Sequence, residues 1–180
     1  MRITKNDTLV IAVDFQEKLI PAMNLKDALI RSSAAFLKGI DTLGVPVIVS
    51  QQYTKGLGET IPEIKAALPE NYTLIEKSTF TVYNEENKAL IDGMGKKNII
   101  VCGTETHICV LQTAIDLIGA GYNVFMPVDC VGSRRRMDKN AGLQRFAQEG
   151  GFITSKEATL FELTCSAKDA AFKTISDLIK

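Results

Sequence analysis

Short runs of uninterrupted apolar residues, rich in valine and isoleucine, recur along the 180 residues and alternate with longer stretches of helical periodicity. Alternation of this kind marks βαβ units, because neighbouring parallel strands need a crossover and a helix supplies it. Leu9 to Val13 is apolar at every position, as a strand covered on both faces must be. Leu25, Leu29, Phe36, Ile40 and Leu43 then recur at helical spacing, and Gly44 closes that helix. Further strands are expected at Val45–Val49, around Thr73–Ile75, and at Asn98–Cys102, Asn123–Met126 and Gly151–Thr154. Helices are expected over Asn84–Met94, with Asn84 as the cap, and over Thr106–Ile118, Lys139–Glu149 and Ala167–Leu178. Gln51 to Pro69 reads as loop, interrupted by Gly56, Gly58 and Pro62. No repeat, low-complexity tract or linker divides the sequence, so residues 1–180 are expected to form one α/β domain around a parallel sheet.

Composition narrows the function classes. Lysine plus arginine number 21 and so do aspartate plus glutamate, so no global field recruits nucleic acid or an anionic membrane. The basic cluster Arg134-Arg135-Arg136 has no aromatic interleaving and reads as a solvated loop or helix start, with local anion binding as the alternative. The four cysteines, Cys102, Cys109, Cys130 and Cys165, form no C-x-x-C pair, and His107 is the only histidine, so no metal site is expected. The run from Leu9 to Val13 is too short for a signal-peptide core, and a cytoplasmic protein with reduced thiols is expected. Cys102, Cys130 and Cys165 read as packing residues.

In an open parallel sheet, ligands bind beyond the carboxyl ends of the strands, where crossovers leave a crevice. Asp14 follows the first strand, Lys77 the third, and Cys109 lies just beyond the fourth, near the start of a helix. Each alone is unremarkable, with Asp14 capping a turn, Lys77 in solvent and Cys109 filling core. Together they form a set for covalent catalysis. A helix N-terminus and a nearby cation favour the thiolate of Cys109, Asp14 is placed to move protons, and backbone N–H groups in the Gly103–Cys109 turn can hold an oxyanion. His107 sits two residues from Cys109, where helical side chains point apart, so no Cys–His pair is expected. Phe15, Gln16, Gln52, Tyr53 and Phe80 stand beside these strand ends as candidate substrate contacts, with core packing or capping as the alternative for Phe15, Gln16 and Phe80. Asp129, after the fifth strand, reads as structural.

The stretch Val101-Cys102-Gly103-Thr104-Glu105-Thr106-His107-Ile108-Cys109-Val110 resembles the nucleophile motif of the isochorismatase-like cysteine hydrolases. Ile11-Ala12-Val13-Asp14-Phe15-Gln16 resembles the segment carrying that family's acid, and Glu76-Lys77-Ser78-Thr79-Phe80 the one carrying its lysine. The resemblance runs from Asp7 to about Thr164. It implies a three-layer α/β/α fold with a six-stranded parallel sheet, catalysis by Asp14, Lys77 and Cys109, and no cofactor. It also implies an oxyanion hole from the backbone N–H groups of Glu105 and Cys109, turned inward by a cis peptide between Thr104 and Glu105. The Gln51–Gly58 segment resembles the subgroup called isochorismatase domain-containing proteins.

Departures refine this reading. Nicotinamidases of the family bind a metal through an aspartate and histidines after the second strand, where this chain has Gln51, Gln52 and Tyr53. Isochorismatases often lack the cysteine and cleave a vinyl ether, whereas Cys109 is present here. The reaction expected is hydrolysis of a C–N amide bond of a small molecule through a thioester, in a homo-oligomer that binds neither nucleic acid nor membrane. The alternatives are a non-catalytic binding or scaffold protein of the same fold and an isochorismatase-type ether hydrolase.

Overall fold

The computed structural model describes residues 2–180. Its sheet contains β1 (Thr8–Val13), β2 (Val47–Gln52), β3 (Thr73–Lys77), β4 (Asn98–Thr104), β5 (Asn123–Pro127), β6 (Val131–Gly132) and β7 (Phe152–Thr154). Six strands run in the order β3-β2-β1-β4-β5-β7, and the two-residue β6 pairs with the far end of β4. Every pairing is parallel, for example Ile11 with Ile48 on one side and with Val101 on the other. Strand order therefore reverses between β1 and β4, which opens a crevice at their carboxyl ends.

β1 is buried at all six positions because consecutive side chains enter different cores. Val10 and Ala12 meet the layer of α1 (Lys26–Thr42), α7 (Lys156–Thr164) and α8 (Phe172–Ile179), through Phe36, Leu160 and Ile175. Leu9, Ile11 and Val13 meet the opposite layer of α4 (Lys88–Gly93), α5 (Leu111–Gly119) and α6 (Arg136–Gln148), through Ile91, Ala114 and Phe146. This is the three-layer architecture expected.

Several boundaries differ from the sequence reading. β2 begins after Pro46, which lacks an N–H for the ladder, and extends to Gln52 because Gln51 and Gln52 pair with Glu76 and Lys77. Lys77 is thus the last residue of β3 rather than the one after it. The Gln51–Pro69 segment contains two single-turn helices, α2 (Thr54–Leu57) and α3 (Pro62–Lys65). Asn84 accepts from the N–H groups of Glu86 and Asn87 at 3.0 Å, closing a turn, and α4 starts only at Lys88. α7 has no counterpart among the expected helices, although Ser155 caps it by accepting from Ala158 N at 3.2 Å. The cysteine assignment also needs correction. Cys102 and Cys130 are buried, but Cys165 is exposed at the end of α7, where its φ of 68° carries the chain out of the helix.

Burial raises the thiols of Cys102 and Cys109 to about 12 and pushes Cys130 well up. Raised acids favour the folded state below their unfolded value, and that contribution disappears as pH climbs toward the folded value. Chemical denaturation should therefore give constant stability up to about pH 9, then a loss of up to about 1.4 kcal/mol per pH unit per thiol. A flat profile to pH 11 would contradict the burial of these groups.

Candidate active site

Asp14 is the first residue beyond β1, fully buried and held at φ 54°. Its N–H donates to Ser50 O at 3.1 Å, and its carbonyl accepts from Thr104 Oγ1 at 2.7 Å, so β2 and β4 grip this turn from either side. A left-handed backbone at a non-glycine residue costs about 1–3 kcal/mol and persists only when its surroundings enforce it. Glycine is required one strand away. A Cβ on Gly103, at φ 144°, would lie 2.2 Å from Val13 O, so β1 and β4 reach their tips in closer contact than any side chain permits.

The Asp14 carboxylate uses both oxygens. Oδ2 accepts from Lys77 Nζ at 2.8 Å, and Oδ1 accepts from Ser50 Oγ at 2.7 Å. Neither charged side chain reaches solvent. Lys77 Nζ also donates to Gln52 Oε1 at 2.8 Å and Thr79 O at 3.3 Å, which gives each of its three protons an acceptor in this buried place. Sheet register explains the meeting: β2 lies between β1 and β3, and its Gln52 is the direct partner of Lys77. Gln16 locks the same strand end, accepting from Gln52 N at 2.7 Å and donating to Gln52 O and Gly58 O at 3.0 and 2.7 Å.

Cys109 sits in a π-helical turn, Thr106–Val110, that precedes α5. Such turns recur at functional sites because they shift one residue out of helical register. Its thiol is raised to about 12, first by burial, then by the charge of Asp14, against the opposing effect of Lys77. The helix start and the cation expected to favour the thiolate are thus outweighed by burial and the neighbouring carboxylate, which push the thiol up. The expected cis peptide is corrected. Every peptide among the described residues is trans, and Glu105 turns the chain by adopting φ 55°, ψ 62° instead.

A cavity of about 340 Å³ opens on Cys109, walled by Leu19, Met23, Leu57 and Ile108, with Lys18, Ala22, Gln52, Phe80, Glu105 and Arg134 around it. This is near the small end of ligand sites. Gln52 and Phe80 thus lie at the cavity. Phe15 is packed in the core, Gln16 acts as the clamp just described, and the exposed Tyr53 stands over Gly56; none of these three lines it. The wall from Lys18 to Met23 went unread because it has no motif; only the folding back of the β1–α1 connection brings it over the crevice. His107 turns to other partners, with Nδ1 3.1 Å from Ser133 Oγ and 3.5 Å from Glu105 Oε2. Arg134 Nε donates to Glu105 Oε1 at 2.7 Å, so this part of the basic cluster has a specific partner. Asp129 is structural, accepting from Lys156 N at 2.8 Å and Ser32 Oγ at 3.2 Å.

Among the described residues, no cluster of three His, Cys, Asp or Glu side chains could hold a metal, and no helix is long and apolar enough to cross a membrane. Cys165 is exposed, whereas Cys109 is buried with its thiol pushed up by that burial. A small polar alkylating agent at neutral pH should accordingly modify Cys165 before Cys109, as peptide mass mapping over time would show. The reverse order would mean the thiolate stands ready after all.

The doubly wound parallel sheet thus carries a buried acid–lysine ion pair at its strand ends, with a cysteine beside a cavity. The Isochorismatase domain profile matches residues 8–158. The chain belongs to the isochorismatase domain family. It is 38% identical over 168 residues to isochorismatase domain-containing protein 1 of Danio rerio, covering 93% of this chain and 59% of that protein. It is 32% identical to isochorismatase domain-containing protein 2 of Xenopus laevis, covering 99% of this chain and 86% of that protein. A structure described as MAR1 ribonuclease from Caenorhabditis elegans superposes with a TM-score of 0.94 at 32% identity, covering 99% of this chain and 92% of that one. The chain thus spans about three-fifths of the first of these relatives.

Proposed function

We propose that this protein is a hydrolase that cleaves a C–N amide bond of a small molecule through a thioester on Cys109. The observation that carries the reading is the fully buried Asp14–Lys77 ion pair beside a cysteine that opens on a cavity of its own. A buried ion pair is a poor device for stability, since apolar replacements of equal shape do as well or better. Its presence at the switch point, next to a thiol, is better explained by chemistry.

The steps follow from the protonation states. With the carbonyl carbon of a bound amide against Sγ, the thiol proton passes to Asp14 as the S–C bond forms. Negative charge then develops on the carbonyl oxygen, and the N–H groups of Glu105 and Cys109 are the donors assigned to it. Collapse of the intermediate breaks the C–N bond, and Asp14 returns its proton to the departing amine. Water next attacks the thioester, giving its proton to Asp14. The carboxylic acid leaves, and Sγ recovers the proton. Lys77 holds the Asp14 carboxylate in place through its 2.8 Å contact, while Ser50 donates to the carboxylate and, by rotating its hydroxyl, accepts from the protonated form.

A raised thiol suits this scheme, because the nucleophile is released only when a substrate occupies the cavity. The volume of about 340 Å³ favours a small molecule over a polynucleotide, although the C. elegans neighbour is described as a ribonuclease. Residues 1–180 act as one domain in this reading, within the homo-oligomer usual for the family. A panel of small primary amides, carbamoyl compounds and esters tests it directly. Acid quench during turnover should trap an acyl adduct on Cys109, visible as the acyl mass on the peptide containing residues 106–110. Turnover with no adduct on Cys109, or an adduct on another cysteine, would overturn the mechanism.

A further inference from the structure

A second cavity, of about 700 Å³, shares none of its lining with the one at Cys109. It lies between the first turns of α1 and the start of α6, with Leu29 and Val131 as its floor. Leu25 forms one wall and is 74% exposed, a large apolar side chain left in water. Its backbone sits at φ 53°, a strained region for a branched residue, so the exposed position is enforced by the surrounding structure. The facing wall is cationic. Arg136 makes no ion pair or hydrogen bond among the described residues. Lys139 uses one proton on Val128 O at 2.7 Å and keeps two. Burial pulls the Lys139 ammonium below its usual range, a cost that a bound anion would relieve.

The single acid in the lining, Asp129, acts on Lys139 and offsets one of these two positive charges, which leaves an excess of one. Asp129 has one oxygen on Lys156 N at 2.8 Å and the other on Ser32 Oγ at 3.2 Å. The site therefore offers two cations with free donors opposite an apolar wall, in a volume within the range of small-molecule sites. We propose that this cavity between α1 and α6 binds a small amphiphilic anion, its carboxylate or similar acid group on Arg136 and Lys139 and its apolar body against Leu25, Leu29 and Val131. The assignment does not depend on the reaction proposed at Cys109.

Octanoate and inorganic phosphate are suitable probes, one carrying an apolar chain and the other none. Calorimetric titration should show saturable octanoate binding in the micromolar to millimolar range. Each of Arg136→Glu and Lys139→Gln should weaken it about tenfold or more, the worth of a charge-assisted hydrogen bond. Leu25→Ser should weaken octanoate but leave phosphate unchanged, and phosphate should bind at least about tenfold less tightly. Cys109→Ala should bind octanoate as the wild type does. The Arg136 side chain is exposed, so that variant tests the site even if Lys139→Gln perturbs folding. Octanoate affinity unchanged in the Arg136 variant, lost in Cys109→Ala, equalled by phosphate, or absent throughout that range would each overturn the proposal.

Discussion

Cys109→Ala should lower amide turnover by on the order of a thousandfold or more, with the fold intact. The expectation rests on what remains when the sulfur is gone. Asp14, Lys77 and the turn from Gly103 are still in place, so a substrate still binds and its carbonyl oxygen is still held. A water in place of Sγ can be activated by Asp14, which sets a floor above the uncatalysed rate. Removing one buried sulfur leaves a void smaller than a leucine truncation would and should cost only about 1 kcal/mol. The informative comparison is therefore kcat at unchanged KM, measured alongside thermal unfolding. An alanine variant with wild-type turnover would leave the protein without its nucleophile. Inactivity of both proteins toward every amide, carbamoyl compound and ester would point instead to a binding role for the same fold.

Lys77→Met should be the most damaging substitution for stability. Methionine fills much of the lysine stem's space but leaves the Asp14 carboxylate with no cation in a place water does not reach. Breaking a buried pair from one side costs roughly 3–5 kcal/mol, a large share of a small domain's total. The variant can escape by letting Asp14 bind a proton, so the deficit should be smallest in acid and grow toward neutral pH. Urea titrations of both proteins at pH 5 and pH 7.5 would reveal this; an equal deficit at the two values would mean that packing, not charge, is lost. Activity should fall with it, since a protonated Asp14 cannot take the thiol proton. The double variant Lys77→Met/Asp14→Asn, with the charge removed as well, should recover part of the stability and none of the activity.

Asp14, Lys77 and Cys109 were legible in the sequence as candidates because each lies in or just beyond an expected strand. Asp14 follows five apolar residues, and Cys109 follows the plainest strand in the chain. The second layer of the site was not legible. Ser50 reads as a polar residue in a strand, and only the register that places β2 between β1 and β3 aims it at Asp14. Gln52 was noticed as the occupant of a missing metal position, but its bond to Lys77 depends on the pairing of β2 with β3. Phe15, Gln16 and Tyr53 were grouped with the binding residues by proximity in sequence, whereas side chains alternate across a strand end and neighbours point to different surroundings. α7 was overlooked for a different reason: its amphipathic pattern is weak, and its cap at Ser155 is the strongest local signal.

The amino-acid pattern alone determined the alternation of strands and helices around a parallel sheet and the three side chains beside its strand ends, whose motifs carry the family resemblance. These follow from hydrophobic period and from residues adjacent to strand ends, which are local properties. Tertiary structure decided the burial of the Cys109 thiol, the walls of the cavity beside it and the existence of a second cavity beyond it. Burial, electrostatic neighbours and the folding back of connections act between residues distant in the chain, and no spacing records them.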